Sequence, residues 1–167
     1  MYLTNFYYDK KVINHKVTKI TDNVNDIIDN SIFVAIKGYT YNGLDFVNDA
    51  IAKGAKTIIY DQDLKFDKSN INLIKVLDSK VELARLLKKF YKKRKHPKMI
   101  AVTGTNGKTS TTNYLYQILK KNNYNLLLIG TGYVYKYFKN NEYTLKTNNT
   151  TLKLTSIYEL IYENTYD

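Results

Sequence analysis

Apolar residues recur along this chain with two spacings that alternate. Ser31 to Gly38, "SIFVAIKG", is a short run rich in apolar and β-branched residues, closed by glycine, and predicts a strand. In "DFVNDAIAKGA", Asp45 to Ala55, Phe46, Val47, Ala50 and Ile51 fall on one helical face, with Gly54 placed to cap the end. Two further strands are expected at "KTIIYDQ", Lys56 to Gln62, and "NLIKVL", Asn72 to Leu77. A helix capped by Asp78 or Ser79 follows, with Val81, Leu83, Ala84, Leu86, Leu87, Phe90 and Tyr91 at helical spacing. Pro97, the single proline, disfavours helical backbone at the residue before it, so this helix is expected to run until close to His96.

Beyond Pro97 the same logic repeats. Met99 to Val102 reads as a strand that feeds a glycine-containing loop, and a helix is expected from about Lys108 to Lys121. Tyr124 to Gly132, "YNLLLIGTG", reads as a second, fully buried strand. Strand, helix, strand in this order predicts a right-handed βαβ unit with parallel strands. The whole is expected to be an α/β protein of two domains, 1–97 and 98–167.

Composition narrows the class. The chain is 44% hydrophobic, enough for a packed core, and has no cysteine, so disulfides and thiolate zinc sites are excluded. No signal-peptide h-region stands at the N-terminus, and no apolar run approaches the ~20 residues of a membrane span. A cytoplasmic protein with no membrane partner is expected. The net charge of +11 raises nucleic acid as a ligand. However, the lysines are scattered, and the densest run, Lys88 to Lys98, falls at a helix end, where the dipole favours cations. With 17 tyrosines and abundant Asn, Ile and Lys, the charge reads as a global bias rather than a binding surface. No nucleic-acid partner is expected, and a monomer is.

The chemistry concentrates in "IAVTGTNGKTSTTNYL", Ile100 to Leu115. A common phosphate loop has Gly, four residues, then Gly-Lys-Ser/Thr. Here Gly107, Lys108 and Thr109 fit, but Val102 stands in the place of the first glycine, and Gly104 must serve the turn. Backbone N–H groups at a helix start form a cradle for phosphate, Lys108 adds a point charge, and Thr109 offers a hydroxyl to Mg²⁺. A bare strand-to-helix turn with glycines for geometry alone is the competing reading.

"VTGTNGKTSTT" resembles the ATP loop of the Mur ligase family, which joins amino acids to carboxylates using ATP. "SIFVAIKGYTYNGLDFVNDAIAKGAKTIIYD" resembles the uridine-diphosphate-binding domain of that family's tripeptide-synthetase branch, which adds the third residue of the peptidoglycan peptide. "VLDSKVELARLLKKFYKKRKHPKMIAVTGTNGKTS", "IGTGY" and "TNNTT" match the same branch.

The resemblance implies that Gly104, Thr105, Asn106, Gly107, Lys108, Thr109 and Ser110 hold the ATP phosphates, with Lys108 catalytic on the outer ones and Thr109 near Mg²⁺. Tyr39, Thr40 and Tyr41 would line the uridine pocket, and Asn149, Thr150 and Thr151 would touch the UDP-muramoyl peptide. The implied reaction adds a diamino acid to UDP-N-acetylmuramoyl-L-Ala-D-Glu through an acyl phosphate.

Three departures accompany the match. Asn23-Val24-Asn25 stands where the family has Asp-Ser-Arg, so a hydroxyl contact to the nucleotide is lost. Leu152 replaces a proline after Asn-Thr-Thr. The chain ends at Asp167, where the family's central domain continues, so an incomplete ATPase domain, inactive as an isolated polypeptide, is expected. A non-catalytic module that binds ATP or a UDP-sugar, or a gene remnant, is the alternative.

Overall fold

The computed structural model describes residues 1–8, 11–38, 41–63, 70–147, 152–163 and 166. It divides into two compact units, Met1–Lys92 and Lys93–Asp167.

The first unit is built on four strands: β1 (Ile20–Thr21), β2 (Ser31–Ala35), β3 (Ala55–Tyr60) and β4 (Asn72–Lys75). They lie in the order β1-β2-β3-β4, and every pair is parallel. Parallel strands are buried on both faces, which explains why β2 is apolar from Ile32 to Ala35 and buried throughout. Phe33, Ala35 and Ile58 face one way and pack with Val47 and Ala50 of α1 (Val47–Ala52). Ile32, Val34 and Ile59 alternate to the opposite face and are fully buried. The second helix, α2 (Ser79–Tyr91), packs against β1 and β2 and buries Leu83, Leu86 and Leu87.

Boundaries differ from the sequence reading: β2, β3 and β4 end two or three residues earlier than expected, and both helices of this unit differ as well. The segment read as one helix from Asp45 begins as a 3-10 turn, Gly43–Phe46, before α1 takes over. Helix α2 ends at Tyr91 rather than near His96. Past Tyr91 the chain offers only Lys92, Lys93, Arg94 and Lys95, which bring nothing to bury and would place further cations three or four residues from Lys88 and Lys89. Val81 and Ala84, placed on the apolar stripe by spacing, are exposed. Asp78 is the N-cap of α2, accepting from the backbone of Lys80 and Val81.

The second unit departs further from the expected βαβ pattern. Helix α3 (Lys108–Lys121) matches its predicted range. Its sheet, though, is an antiparallel meander of β5 (Leu126–Gly130), β6 (Tyr133–Phe138) and β7 (Asn141–Lys146). Met99 to Val102 forms no strand, and Met99 and Ile100 are each 67% exposed.

The physical reason is that parallel pairing needs a sheet covered on both faces, whereas a hairpin closes locally. The turn at Lys139 and Asn140, both at positive φ, has the twist that joins antiparallel strands. The aromatic and β-branched run "YVYKYF", followed by the turn residues "KNN", is the local sequence signal of this hairpin. A core of Tyr116, Leu128 and Tyr137, with Leu126, Tyr133 and Tyr135 around it, seals α3 onto one face of the meander. The last helix among the described residues is α4 (Leu154–Glu163).

Candidate functional site

The glycine loop lies between the unpaired stretch before it and the first turn of α3. Gly107 is the N-cap of α3 with φ 78°, and Gly104 has φ 147°. Both values belong to backbone that other residues rarely adopt. An added Cβ would meet nothing within 4 Å at Gly107 and only the Asn106 carbonyl, at 3.6 Å, at Gly104. The glycines are therefore required by backbone angle, not by lack of room. The first helical hydrogen bond runs from Thr111 N–H to the Gly107 carbonyl at 2.9 Å. That leaves the N–H groups at the start of α3 without helical acceptors.

The electrostatics suit an anion. No Asp or Glu occupies the first turn of α3, so the positive end of the helix is not neutralised locally. The Lys108 ammonium donates to the carbonyls of Gly104 and Thr105, the latter at 3.2 Å, and so folds over its own loop. Gly104 through Ser110 are all exposed. The predicted loop residues thus come together on one surface, with the ammonium bonded to neutral carbonyls that a phosphate can displace. The Thr109 hydroxyl is exposed in the same turn. Among the described residues, no three His, Cys, Asp or Glu side chains gather as a metal site. A metal here would depend on a hydroxyl and on the nucleotide's own phosphates.

In the first unit, the carboxyl ends of the parallel strands form a second polar rim, the usual place for ligands on such sheets. After β1, Asn23 caps a short 3-10 turn by accepting from Asn25 N–H, and its amide donates to Asp26 at 2.9 Å. This is where the family's Asp-Ser-Arg would fall. After β2, Gly38 N–H donates to the Tyr41 carbonyl and Gly43 N–H to the Ile36 carbonyl, both at 2.9 Å. Tyr41 is 71% exposed, and its ring meets Phe46 edge-on at 6.5 Å.

After β3, the Asp61 carboxylate accepts from the Ser79 backbone at 2.9 Å and the Ser79 hydroxyl at 2.8 Å. Partial burial works to raise the Asp61 pKa, but these bonds outweigh it and hold the carboxyl below its ordinary value. The next residue, Gln62, pairs with Asn42. The pairing has no local signal in the sequence, although the Asn42-Gly43 dipeptide is itself a turn signal. Tyr39, Thr40, Asn149, Thr150 and Thr151 lie outside the described residues.

Two family models cover most of the chain: "Mur ligase family, catalytic domain" matches residues 26–105, and "Mur ligase middle domain" matches residues 102–167. The chain belongs to the Mur ligase family. The UDP-N-acetylmuramyl-tripeptide synthetase 2 of Oceanobacillus iheyensis is 34% identical over 148 residues, 88% of this chain and 30% of that protein. The UDP-N-acetylmuramoyl-L-alanyl-D-glutamate–2,6-diaminopimelate ligase 2 of Clostridium acetobutylicum is 38% identical over 121 residues, 71% of this chain and 25% of that protein.

The MurF ligase of Thermotoga maritima, solved in complex with ADP, matches 64% of this chain and 24% of its own at 29% identity and a TM-score of 0.51. A solved UDP-N-acetylmuramoyl-L-alanyl-D-glutamate–2,6-diaminopimelate ligase shares the fold over 88% of this chain and 29% of its own, with TM-score 0.66 and 21% identity. The chain therefore spans less than a third of the length of these Mur ligases. No helix among the described residues is long and apolar enough to cross a membrane.

Proposed function

We propose that this chain supplies the phosphate loop and the uridine-nucleotide rim of an ATP-dependent Mur ligase, one that adds a diamino acid to UDP-N-acetylmuramoyl-L-Ala-D-Glu in the cytoplasm. The observation that carries the reading is the glycine loop at the start of α3. It combines two positive-φ glycines, an acid-free first turn and an ammonium held by loop carbonyls. This arrangement suits an anion, and the ADP bound to the related Thermotoga maritima ligase supports a nucleotide as that anion.

In this reading Gly104 to Ser110 bind the ATP phosphates through backbone N–H groups, and Lys108 leaves the Gly104 and Thr105 carbonyls for the outer phosphates. Its charge opposes the negative charge that builds as the substrate carboxylate attacks the γ-phosphorus. The bond between that phosphorus and the ADP oxygen breaks, leaving an acyl phosphate. The amine of the incoming amino acid then attacks the acyl carbon and phosphate departs, forming the amide. Mg²⁺ bound to the nucleotide would supply further charge neutralisation, and the Thr109 hydroxyl would help to hold it. The carboxyl rim of the first unit, with Tyr41 and with Tyr39 and Thr40 of the same loop, takes the uridine end. Asn149, Thr150 and Thr151 contact the muramoyl peptide.

Titration calorimetry of the chain with ATP and Mg²⁺ tests the reading. Wild type should bind, and Lys108→Ala should bind at least about tenfold more weakly, because a charge-assisted contact to phosphate is lost. Equal affinity in the two proteins would remove Lys108 from the site. No binding by wild type would remove the site itself.

A further inference from the structure

Gln62 is the first residue after Asp61 at the end of β3, and Asn42 closes the loop that leaves β2. Their side-chain amides face each other. Asn42 Nδ2 donates to Gln62 Oε1 at 3.1 Å, and Gln62 Nε2 donates to Asn42 Oδ1 at 3.1 Å. Asn42 Oδ1 also accepts from Leu44 N–H at 3.2 Å and so caps the 3-10 turn behind it. Its backbone bridges Lys37 across the loop. Asn42 is thus tied to the sheet end, to the following turn and to the opposite side of its own loop.

Two parallel hydrogen bonds between planar groups fix orientation as well as distance, as bidentate pairs do. Because neither amide ionises, the tie does not depend on pH. Its other end is anchored firmly: Asp61, next to Gln62, holds Ser79 at the start of α2 through two hydrogen bonds. Gly43 completes the arrangement. A Cβ there would come within 2.5 Å of Ile36 N and 2.7 Å of the Ala35 backbone, so the loop lies directly on the end of β2.

We infer that Gln62 is a positioning residue for the uridine nucleotide. It touches no ligand; through Asn42 it sets where the loop backbone at Lys37 and Gly38 and the exposed Tyr41 stand over the carboxyl rim. The inference rests on the reading of that loop as the uridine end.

The test is calorimetric titration with UDP of wild type, Gln62→Leu and Gln62→Glu, with ATP–Mg²⁺ affinity and melting temperature measured on each. Gln62→Leu loses both hydrogen bonds and should weaken UDP about tenfold while leaving ATP affinity unchanged. Gln62→Glu keeps an acceptor for Asn42 Nδ2 and loses the donor, so its loss should be smaller. If UDP affinity is unchanged in both variants while melting falls, Gln62 only supports the fold and the inference is overturned. If Gln62→Leu does not fold, unchanged UDP affinity in Gln62→Glu overturns it alone. If wild type does not bind UDP, the reading of the loop fails and the inference falls with it.

Discussion

Glu142, on the outermost strand of the second sheet, accepts a hydrogen bond of 3.1 Å from the Tyr116 hydroxyl of α3. Lys120, one turn further along the same helix, donates to the other oxygen of that carboxylate. The helix that begins at the phosphate loop is therefore held to its sheet by one carboxylate as well as by apolar packing. The Lys120 bond chiefly keeps the Glu142 carboxyl below its ordinary pKa; burial opposes it, and the Tyr116 bond and the charge of Lys120 add to the lowering.

A depressed carboxyl pKa contributes stability that is present above its unfolded value of about 4.3 and lost as pH falls through the folded one. Glu142→Gln should lower the melting temperature at pH 7 and flatten the acid limb below about pH 5. Both side chains of the ion pair are partly exposed, so the cost at neutral pH should be near 1 kcal/mol. An unchanged acid limb in the variant would show that the carboxylate does not anchor α3.

Gly107→Ala and Gly43→Ala are the same change with different physical costs. At Gly107 there is space for a methyl group, and only the backbone angle, φ 78°, resists it. The expected cost is about 1 kcal/mol, with a loss of ATP affinity as the loop relaxes. At Gly43 the methyl would overlap the Ala35 and Ile36 backbone. Strand β2 is fully buried and has no room to retreat, so a loss of about 2–3 kcal/mol is expected. Urea unfolding of the two variants decides the order; a milder effect at Gly43 than at Gly107 would contradict it.

Tyr7 donates to Glu82, whose carboxylate also receives Arg85 through Nε at 2.8 Å and Nη2 at 2.7 Å. The Arg85 guanidinium lies over the Tyr7 ring at 5.2 Å. Burial first, and the neighbouring Glu82 second, push the Tyr7 phenol above its ordinary pKa, so it stays protonated and a donor. Tyr7→Phe removes one donor and leaves the bidentate pair, for a loss of about 1 kcal/mol. Glu82→Ala removes the carboxylate that accepts from both the phenol and the guanidinium and should cost more. Chemical denaturation that ranks them in the reverse order would refute this account.

The parallel sheet of the first unit was legible because burial on both faces writes an apolar run, as in "SIFVA" and "TIIY", and because its helices keep their own period. Helix α3 was legible for the same reason, and its glycine loop because nest geometry demands glycine in a fixed order. The pairing of β5 was not. An apolar run such as "LLLIG" has one appearance whether its partner is a distant parallel strand or the next hairpin arm, and only the neighbouring aromatic run and turn at 133–140 distinguish them. Gln62 and Asn42 were invisible because their relation is a contact between side chains 20 positions apart, which no local period records.

His15 supplies a separate, testable pH dependence. Its Nε2 lies 2.8 Å from the hydroxyl of Thr57, which is fully buried and within 3.3 Å of the Asn72 amide. Since Asn72 donates to that hydroxyl oxygen, the hydroxyl hydrogen is free to reach His15 Nε2, and Nδ1 carries the proton toward the Lys16 carbonyl. The neutral ring fits this network.

Burial chiefly, with the positive charge of Lys56 adding to it, lowers the imidazole pKa, while the Lys16 carbonyl works in the opposite direction. A base whose pKa is depressed on folding is protonated more readily in the unfolded chain. The stability it contributes is therefore complete above about pH 6.5 and declines as pH falls from there toward the folded value. The melting temperature should drop as pH falls below about 6.5, above the window in which Glu142 titrates. In His15→Gln, which retains an amide able to bond Thr57, that drop should largely vanish while the acid limb due to Glu142 remains. A variant that reproduces the wild-type slope in this upper window would show that His15 is not its source.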